Sequence, residues 1–504
     1  MRRNLRDALL VVASAALYAT AFPPLEWSAL AWIALVPLLV VTARARGALA
    51  AAGFGLLWGI LVALGVASWL PGMITRYFEV PPVAAWAAFL ALAVGLLGVW
   101  GALFGGFVRL AVRRGVAHPA VIAAAFAACE LGRASIGIAN PWALLATSQA
   151  RFVALAQSVD LAGPYGLGAL IAAVNACVAG AFVSSLRPLR PLRTAGGLAL
   201  VAGAALAYGS WRLEQPFAEG PERSVALLQD EDPGLARSDE IGAGLDRRLA
   251  LTSRALASAP TLVVWPELSL GFSLRDGSSA GRRLLEAAAA TKADWLVGGT
   301  DTQVWATRED RFNSVFLVHG GRVTGRYDKA LLMPFAEENP LPGWLSAWRR
   351  PFVPGDARYT RPLGTGGLRA GVLLCNEVMY PGYVRSMVAQ GAELLINPAY
   401  DQWFGSDAAA LAQLRGAQLR AIESRRYLLR STTGGRSAVI NPQGRLEAVL
   451  DPGASDVLVA RVRAARATSP YQRFGDRLPL AGAAFAVLVL SAPAPGRGRA
   501  AKET

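Results

Sequence analysis

The chain has few cysteines and almost no histidine, with three cysteines and two histidines in 504 residues. Cys129 and Cys177 lie inside apolar segments, where packing is the ordinary role of a free thiol. Cys375 is the only cysteine in the polar part of the sequence, which excludes a disulfide within that part. With only His118 and His319 as imidazole ligands, a zinc site is nearly excluded and a histidine-based dyad is disfavoured. We therefore predict no metal and no other cofactor.

Charged residues are also scarce, at 17% of the chain, and they are unevenly distributed. Residues 1–211 are mostly apolar, residues 212–477 have an ordinary soluble composition, and a last apolar run covers about 478–494. This pattern is typical of an integral membrane protein with one aqueous domain. We predict a membrane domain of about seven helices (1–211), an aqueous domain (212–477), and a transmembrane helix with a basic cytoplasmic tail (478–504).

The net charge of +15 does not indicate a nucleic-acid partner, because many of the arginines lie in clusters beside the apolar runs, where basic residues set the topology of a membrane protein. Eight membrane helices are predicted, at about 7–22, 27–43, 48–70, 83–110, 118–132, 165–186, 194–211 and 478–494. Basic clusters flank them, and all fall on one side of an eight-span arrangement: Arg2, Arg3 and Arg6; Arg44 and Arg46; Arg113 and Arg114; Arg187, Arg190 and Arg193; Arg497, Arg499 and Lys502. The positive-inside rule then places both termini in the cytoplasm and residues 212–477 outside it.

The aqueous domain alternates short apolar runs with helical stretches. Strands are predicted at 224–229, 261–265, 294–298, 314–318, 370–374 and 393–397, and helices at about 242–258, 279–291 and 406–425. The strand runs are continuously apolar, as in sheets that are covered on both faces. The sequence therefore predicts a layered α/β domain in which functional residues gather at strand ends.

Three chemically active residues each follow a strand-like run: Glu267, Lys329 and Cys375. A free thiol has a pKa near 8.5 and is mostly protonated at neutral pH, so a nucleophilic cysteine needs a base or a nearby cation. Glu267 is suited to take the thiol proton and return it to a leaving group. Lys329 is suited to stabilise the thiolate and the oxyanion of a tetrahedral intermediate. Singly, each residue has a structural explanation, but their shared position favours cysteine acyl chemistry.

Further motifs surround these residues in a fixed order. Trp265-Pro266-Glu267, the segment from Tyr327 to Glu337, and Cys375-Asn376-Glu377 with Pro381 match the acid, lysine and nucleophile motifs of one superfamily. Other matching positions are Asp401 to Gly405, Arg420 to Glu423, Arg430, Tyr471 to Asp476, and, in the membrane half, Pro141-Trp142, Gly163 to Gly166 and Asn175. The aqueous domain resembles the nitrilase (carbon–nitrogen hydrolase) superfamily, whose fold is an αββα sandwich. The whole chain resembles the bacterial apolipoprotein N-acyltransferase family.

The resemblance implies an acyltransferase that uses no cofactor. Cys375 would take a fatty acyl chain from a phospholipid, typically phosphatidylethanolamine, and hold it as a thioester. The acceptor would be the N-terminal amine of a diacylglyceryl-cysteine apolipoprotein, in the last step of lipoprotein maturation. Glu267 and Lys329 complete the implied triad, with Glu337 and Glu377 as supporting acids. The implied location is the bacterial cytoplasmic (inner) membrane, with the catalytic domain on the periplasmic side.

Some positions depart from the usual pattern of this family. Asn376 stands where tyrosine is usual, Tyr400 where asparagine is usual, and Thr433 where asparagine is common. These departures leave the triad intact and bear on the identity of the acyl donor and acceptor.

Three other functions are compatible with parts of the sequence. A divergent paralogue would acylate another amine, and a nitrilase-type hydrolase would resolve the acyl-enzyme with water, although eight spans serve no purpose for a small soluble substrate. A transporter or scaffold is disfavoured, because transporters place ionisable residues within their spans and here these are chiefly Glu130 and Arg133.

Overall fold

The computed structural model describes residues 2–217, 219–231, 240–306, 308–340, 352–357 and 361–492. The chain divides into two compact units. The first comprises Met1–Ser158, Ala162–Tyr208 and Asp476–Thr504, and the second comprises Val159–Leu161 and Gly209–Gly475. The predicted basic tail with Arg497, Arg499 and Lys502 lies outside the described residues.

The first unit is helical. Its helices before the second unit are α1 (Arg2–Thr20), α2 (Val36–Arg44), α3 (Ala48–Val66), α4 (Leu70–Phe78), α5 (Pro82–Ala93), α6 (Val99–Arg113), α7 (Pro119–Ser135), α8 (Val153–Ala156), α9 (Val159–Ala179) and α10 (Pro191–Arg212). A π-helical turn, Val94–Gly98, joins α5 to α6. Helix α9 is kinked at Gly163, where φ is 68° and Pro164 follows, so the chain becomes helical before the predicted start at 165.

Four helices of the described residues are long and apolar enough to cross a membrane: Ala48–Val66, Pro82–Arg113, Val159–Ala179 and Pro191–Arg212. Ser28–Arg44 and Arg477–Ser491 are apolar but shorter. The predicted class of a polytopic helical membrane domain is confirmed, and the number of about eight spans stays a prediction.

Helices α3 and α6 pack with their backbones in close contact, because small residues line the crossing. A Cβ atom on Gly55 would lie 2.0 Å from the carbonyl oxygen of Gly101, and one on Gly105 would lie 2.4 Å from that of Ala51. Close packing of small residues is a main source of helix association where water is absent.

The described residues of the second unit form twelve strands and five helices. The strands are β1 (Glu219–Gln229), β2 (Leu262–Val264), β3 (Asp294–Val304), β4 (Glu309–His319), β5 (Arg322–Asp328), β6 (Leu363–Thr365), β7 (Leu368–Val372), β8 (Leu394–Tyr400), β9 (Leu428–Thr433), β10 (Ala438–Ile440), β11 (Leu446–Val449) and β12 (Asp456–Ala464). The helices are α11 (Glu240–Leu256), α12 (Ser279–Ala289), α13 (Pro381–Ala389), α14 (Asp407–Ser424) and α15 (Pro470–Phe474). The last helix of the chain, α16 (Arg477–Ser491), belongs to the first unit.

The strands form two six-stranded sheets, in the orders β12-β1-β2-β3-β4-β5 and β11-β10-β9-β8-β7-β6. Each sheet has a parallel centre, β1-β2-β3 in the first and β7-β8-β9 in the second, flanked by antiparallel strands. Parallel strands need crossover connections, which here contain helices that cover the outer faces.

The two sheets meet at their inner faces. The Ser431 hydroxyl of β9 donates hydrogen bonds to the carbonyl of Leu228 in β1, at 2.6 Å, and to that of Val264 in β2, at 3.2 Å. Side chains of α11 and α12, including Leu245 and Leu284, pack against the first sheet, and α13 and α14 contact the second. The predicted αββα sandwich is confirmed.

All six predicted strands are present, and they are the buried ones near the sheet centres. The prediction missed six more, of which β5, β11 and β12 are partly exposed and carry charged residues. Strands β6, β9 and β10 are short or carry polar residues whose burial depends on the opposing sheet.

Candidate active site

The three predicted catalytic residues each follow a strand. Glu267 comes after β2 and Lys329 directly follows β5, both in the first sheet, whereas Cys375 follows β7 in the second. The turn that carries Glu267 packs closely on β3, because a Cβ atom on Gly298 would lie 2.1 Å from the Pro266 carbonyl oxygen. The side chains of Glu267, Lys329 and Cys375 are at most 3% exposed.

Lys329 is held between two carboxylates. Its Nζ lies 2.9 Å from Oε1 of Glu267, and 3.0 and 2.8 Å from Oε1 and Oε2 of Glu337. Asn313 of β4 donates from Nδ2 to Oε1 of both acids, at 2.8 Å to Glu267 and 2.7 Å to Glu337. Glu337 also accepts the backbone N–H of Met333 at 2.8 Å. These contacts fix the acid and the ammonium group as one unit.

Burial and charge act in opposite directions in this cluster. Burial disfavours the charged ammonium group, but the carboxylates of Glu267 and Glu337 outweigh it and hold the pKa of Lys329 well above its usual value. Burial raises the pKa of Glu267, partly offset by Lys329, while the neighbouring Glu337 raises it further. The result is a permanent cation beside a carboxylate that binds a proton more readily than in water.

The predicted nucleophile lies on a strained turn. Cys375 begins a 3-10 turn, Cys375–Met379, and its φ is +47°, in the left-handed region that non-glycine residues rarely adopt. Glu377 compensates by accepting the backbone N–H of Leu374 at 2.7 Å. Such strain is found at functional sites where the surrounding structure enforces it.

Glu377 connects the turn of the nucleophile to the segment that follows the lysine. Its Oε1 accepts the backbone N–H groups of Ala330 at 2.7 Å and Leu331 at 2.9 Å, and its Oε2 accepts the hydroxyl of Tyr327. Burial raises the pKa of Glu377 to about 7, and these hydrogen bonds offset part of the increase. Its carboxyl group therefore links the two sheets, since these hydrogen bonds come from backbone N–H groups and from Tyr327 and not from the Cys375 thiol.

The environment of the thiol favours its protonated form. Burial raises the pKa of Cys375, and the charge of Glu267 raises it further, whereas Lys329 lowers it. Counting Lys329, Glu267 and Glu337, the cluster has one positive and two negative charges, so a thiolate in addition is opposed. Moving the thiol proton to Glu267 leaves the total charge unchanged, which makes that carboxylate the suitable base.

Several residues of the downstream motifs are also buried near the nucleophile. Arg430 of β9 donates from one nitrogen to both carboxylate oxygens of Asp401, at 2.7 Å each, and both side chains are buried. Arg420 and Glu423 form a second buried pair within α14. Paired burial of this kind is costly to break, so Arg430 and Asp401 fix the end of the second sheet, and Arg420 and Glu423 fix α14.

The three positions that depart from the family pattern have different surroundings. Asn376 is buried directly after the nucleophile, and Thr433 is buried at the end of β9, where its hydroxyl donates to Asp230 at 2.9 Å. Tyr400 ends β8 and is half-buried.

The structure thus brings all five predicted residues into one region, through two contact groups. Glu267, Lys329 and Glu337 are in direct contact, and Glu377 joins the segments that carry Lys329 and Cys375. Sequence reasoning missed Asn313, because an asparagine within an apolar strand has no motif of its own. Among the described residues, no three His, Cys, Asp or Glu side chains are grouped as metal ligands.

Two family profiles match the chain. Residues 14–177 match the apolipoprotein N-acyltransferase N-terminal domain, and residues 224–471 match the carbon–nitrogen hydrolase family.

Curated relatives match over nearly the full length. A protein of Geobacter metallireducens named apolipoprotein N-acyltransferase is 30% identical, over 96% of this chain and 94% of its own length. One of the same name from Gloeobacter violaceus is 28% identical, over 99% and 96%. Among solved structures, an amidase of the nitrilase superfamily from Nesterenkonia AN1 is 21% identical, covers 52% of this chain and 98% of its own, and has a TM-score of 0.39.

Proposed function

Since the chain belongs to the apolipoprotein N-acyltransferase family, we propose that it transfers a fatty acyl chain, through a thioester on Cys375, to the N-terminal amine of an apolipoprotein. The observation that carries the proposal is the buried Glu267–Lys329 pair, which shares one small α/β unit with a strained, buried cysteine, in a chain that also has membrane-length helices. The acceptor is a diacylglyceryl-cysteine, and the donor is a phospholipid, for which we propose phosphatidylethanolamine.

In the first half-reaction, the Cys375 sulfur attacks an ester carbonyl of the phospholipid while the thiol proton passes to Glu267. The ammonium group of Lys329 stabilises the negative charge that forms on the carbonyl oxygen. When the tetrahedral intermediate collapses, the carbon–oxygen bond breaks and Glu267 returns the proton to the departing glycerol oxygen. The products are a lysophospholipid and the acyl-enzyme.

In the second half-reaction, the amine of the acceptor attacks the thioester carbonyl. Glu267 takes a proton from the amine nitrogen, the carbon–sulfur bond breaks, and Cys375 regains a proton. A thioester is a reactive acyl donor, so the scheme is ping-pong and needs no nucleotide.

For the cellular location we propose the bacterial inner membrane, with the second unit on the periplasmic side. The support is the placement of the basic clusters, since Arg44, Arg113, Arg114, Arg187 and Arg190 all fall in loops on one side of the eight-span arrangement. This orientation is tested by introducing single cysteines at exposed positions and measuring, in intact cells, which of them react with a thiol reagent that does not cross the membrane. Labelling of the positions in the second unit is the expected result.

The proposed function is tested by the intact mass of the purified protein after incubation with phosphatidylethanolamine, beside Cys375→Ala. We expect one acyl mass on the parent only, removed by hydroxylamine and discharged by a diacylglyceryl-cysteine peptide. An adduct that the peptide does not discharge would keep the thioester and identify another amine, or water, as the acceptor. No adduct at saturating lipid would contradict the proposal for this donor.

A further inference from the structure

The sulfur of Cys375 has a second polar neighbour, which lies outside the triad. Gln413, in the second turn of α14, places Nε2 at 3.7 Å from the Cys375 sulfur, and its side chain is fully buried. Sulfur accepts hydrogen bonds at longer distances than oxygen does, so this amide is in position to donate to it.

The orientation of this amide is set by its other neighbour. A guanidinium nitrogen of Arg430 lies 2.6 Å from Oε1 of Gln413. Arginine can only donate, so the amide oxygen must face Arg430 and the NH₂ group must face the sulfur. The donor role of Gln413 therefore follows from the chemistry of its partner.

Arg430 is itself immobilised. Besides Asp401, it donates to Oδ1 of Asn397, whose Nδ2 in turn donates to the carbonyl oxygens of Leu373, at 2.5 Å, and Cys375, at 3.1 Å. One buried network thus holds Cys375 at two points, its backbone through Asn397 and its sulfur through Gln413.

We propose that Gln413 is a further catalytic residue, which donates an N–H hydrogen bond to the Cys375 thiolate. The thiolate forms twice in the proposed reaction, as the nucleophile before acylation and as the leaving group when the amine displaces it. A neutral amide suits this role, because it stabilises the anion without adding a charge to the cluster. It also does not ionise, so its N–H group stays a hydrogen-bond donor throughout the reaction.

The role of Gln413 in acyl transfer rests on the proposed function, but its contact with the sulfur is testable without any lipid. The measurement is the rate of Cys375 alkylation by iodoacetamide in the full chain, read from the mass of the Cys375 peptide, at pH 7, 8 and 9. Because the pKa of the buried thiol is raised, the rate at each of these pH values is proportional to the thiolate fraction. Charged groups that act on the sulfur are Glu267, Lys329, Asp401 and Glu337, and all four are unchanged in the variants below.

Two substitutions remove the donor. Gln413→Met keeps the length of the side chain, and Gln413→Glu keeps the contact with Arg430 while replacing the NH₂ group by an oxygen. We expect alkylation at each pH to slow about tenfold in Gln413→Met, as for a rise of about one unit in the thiol pKa, and by more in Gln413→Glu, which also adds a negative charge.

Gln418→Met is the matched control. Gln418 is a buried glutamine of the same helix, but its amide donates to the carbonyl of Gly444 at 2.6 Å and accepts from Arg415. A purely structural role for a buried glutamine would affect both positions alike, and we expect the control to alkylate at the parent rate.

The proposal is overturned if Gln413→Met and Gln413→Glu alkylate as the parent does, or if Gln418→Met slows equally. Should Gln413→Met not fold, Gln413→Leu, which also removes the donor without adding a charge, decides in its place. A parent that alkylates as expected but never acquires an acyl chain from lipid would contradict the proposed function and leave the assignment of Gln413 intact.

Discussion

The two sheets of the second unit supply opposite kinds of group to the same cysteine. The first sheet contributes charge, in Glu267 and Lys329, which are in direct contact and buried. The second sheet contributes the nucleophile on its strained turn, with the neutral amide of Gln413 against the sulfur. We call Glu267 and Lys329 the charged side, and the amides of Gln413 and Asn397 the neutral side. In the proposed mechanism, the charged side moves a proton and stabilises an oxyanion, while the neutral side holds the sulfur and the backbone of Cys375 in place.

The largest expected effect comes from removing the cation of the charged side. Lys329→Met leaves Glu267 and Glu337 buried without their counter-charge, so the pKa of Glu267 rises and less of it is ionised to act as the base. The oxyanion also loses its donor, and we expect acyl-enzyme formation to fall by at least about 10²–10³-fold. Time-resolved intact mass with phosphatidylethanolamine measures this.

Lys292→Met is the control for that experiment, because Lys292 is exposed and outside the cluster. We expect it to acylate at the parent rate. A Lys329→Met variant that retains more than a tenth of the parent rate would show that the charged side is not what drives the chemistry.

Removing the carboxylate of Glu337 should have opposite effects on the reactivity of the Cys375 thiol and on the rate of acyl transfer. Glu337→Gln takes a negative charge from the cluster, so the pKa of Cys375 falls and alkylation at pH 7 speeds up about threefold. Acyl transfer should nevertheless slow about tenfold, because Lys329 loses one of its two carboxylate partners. Iodoacetamide and phospholipid are used on the same preparation, with the exposed Glu286→Gln as control. A parallel fall in both rates would indicate only a structural defect.

The last expected effect is on stability and not on rate, and it concerns Glu377, which links the two sheets. The pKa of Glu377 is raised from 4.5 to about 7 in the folded protein, so the native state binds this proton more tightly than the unfolded state does. Its contribution to stability is therefore largest below pH 4.5 and is lost as the pH rises to 7, by about 3 kcal/mol.

Glu377→Gln removes this titration. Thermal unfolding of the parent and variant in detergent, between pH 4.5 and 8, should give similar melting temperatures at the acid end, where Glu377 is protonated, and a parent that falls below the variant as the pH rises to 7. Curves that run parallel across this range would contradict the assignment of the raised pKa to Glu377.

Much of the charged side was predictable from the sequence. Glu267 and Cys375 follow runs of apolar residues, which predict buried strands, whereas Lys329 follows the polar strand β5 that the prediction missed. The chemistry of a lone thiol calls for an acid and a cation. The six strands that were predicted are those whose burial is visible as continuous apolar sequence, and among them are the two that lead to Glu267 and Cys375.

The neutral side was much less predictable. Gln413 and Asn397 are single amides in a helix and a strand, and nothing in their spacing distinguishes them from polar residues that face solvent. In the first sheet, Asn313 likewise has no sequence motif that marks it, although it donates to the carboxylates of both Glu267 and Glu337. Arg430 and Asp401 were found through the resemblance of their motifs, but their pairing was not.

The sequence by itself determined the two-part organisation of this protein and the choice of Cys375, Glu267 and Lys329 as the predicted nucleophile, acid and cation, because hydropathy and residue chemistry are local properties. Only the tertiary structure decided which groups meet: that Glu377 ties two sheets through backbone N–H groups, and that the amide of Gln413 turns its nitrogen to the sulfur because an arginine occupies its oxygen. Hydrogen-bond partners of buried groups depend on contacts between residues far apart in the chain, and no local pattern specifies them.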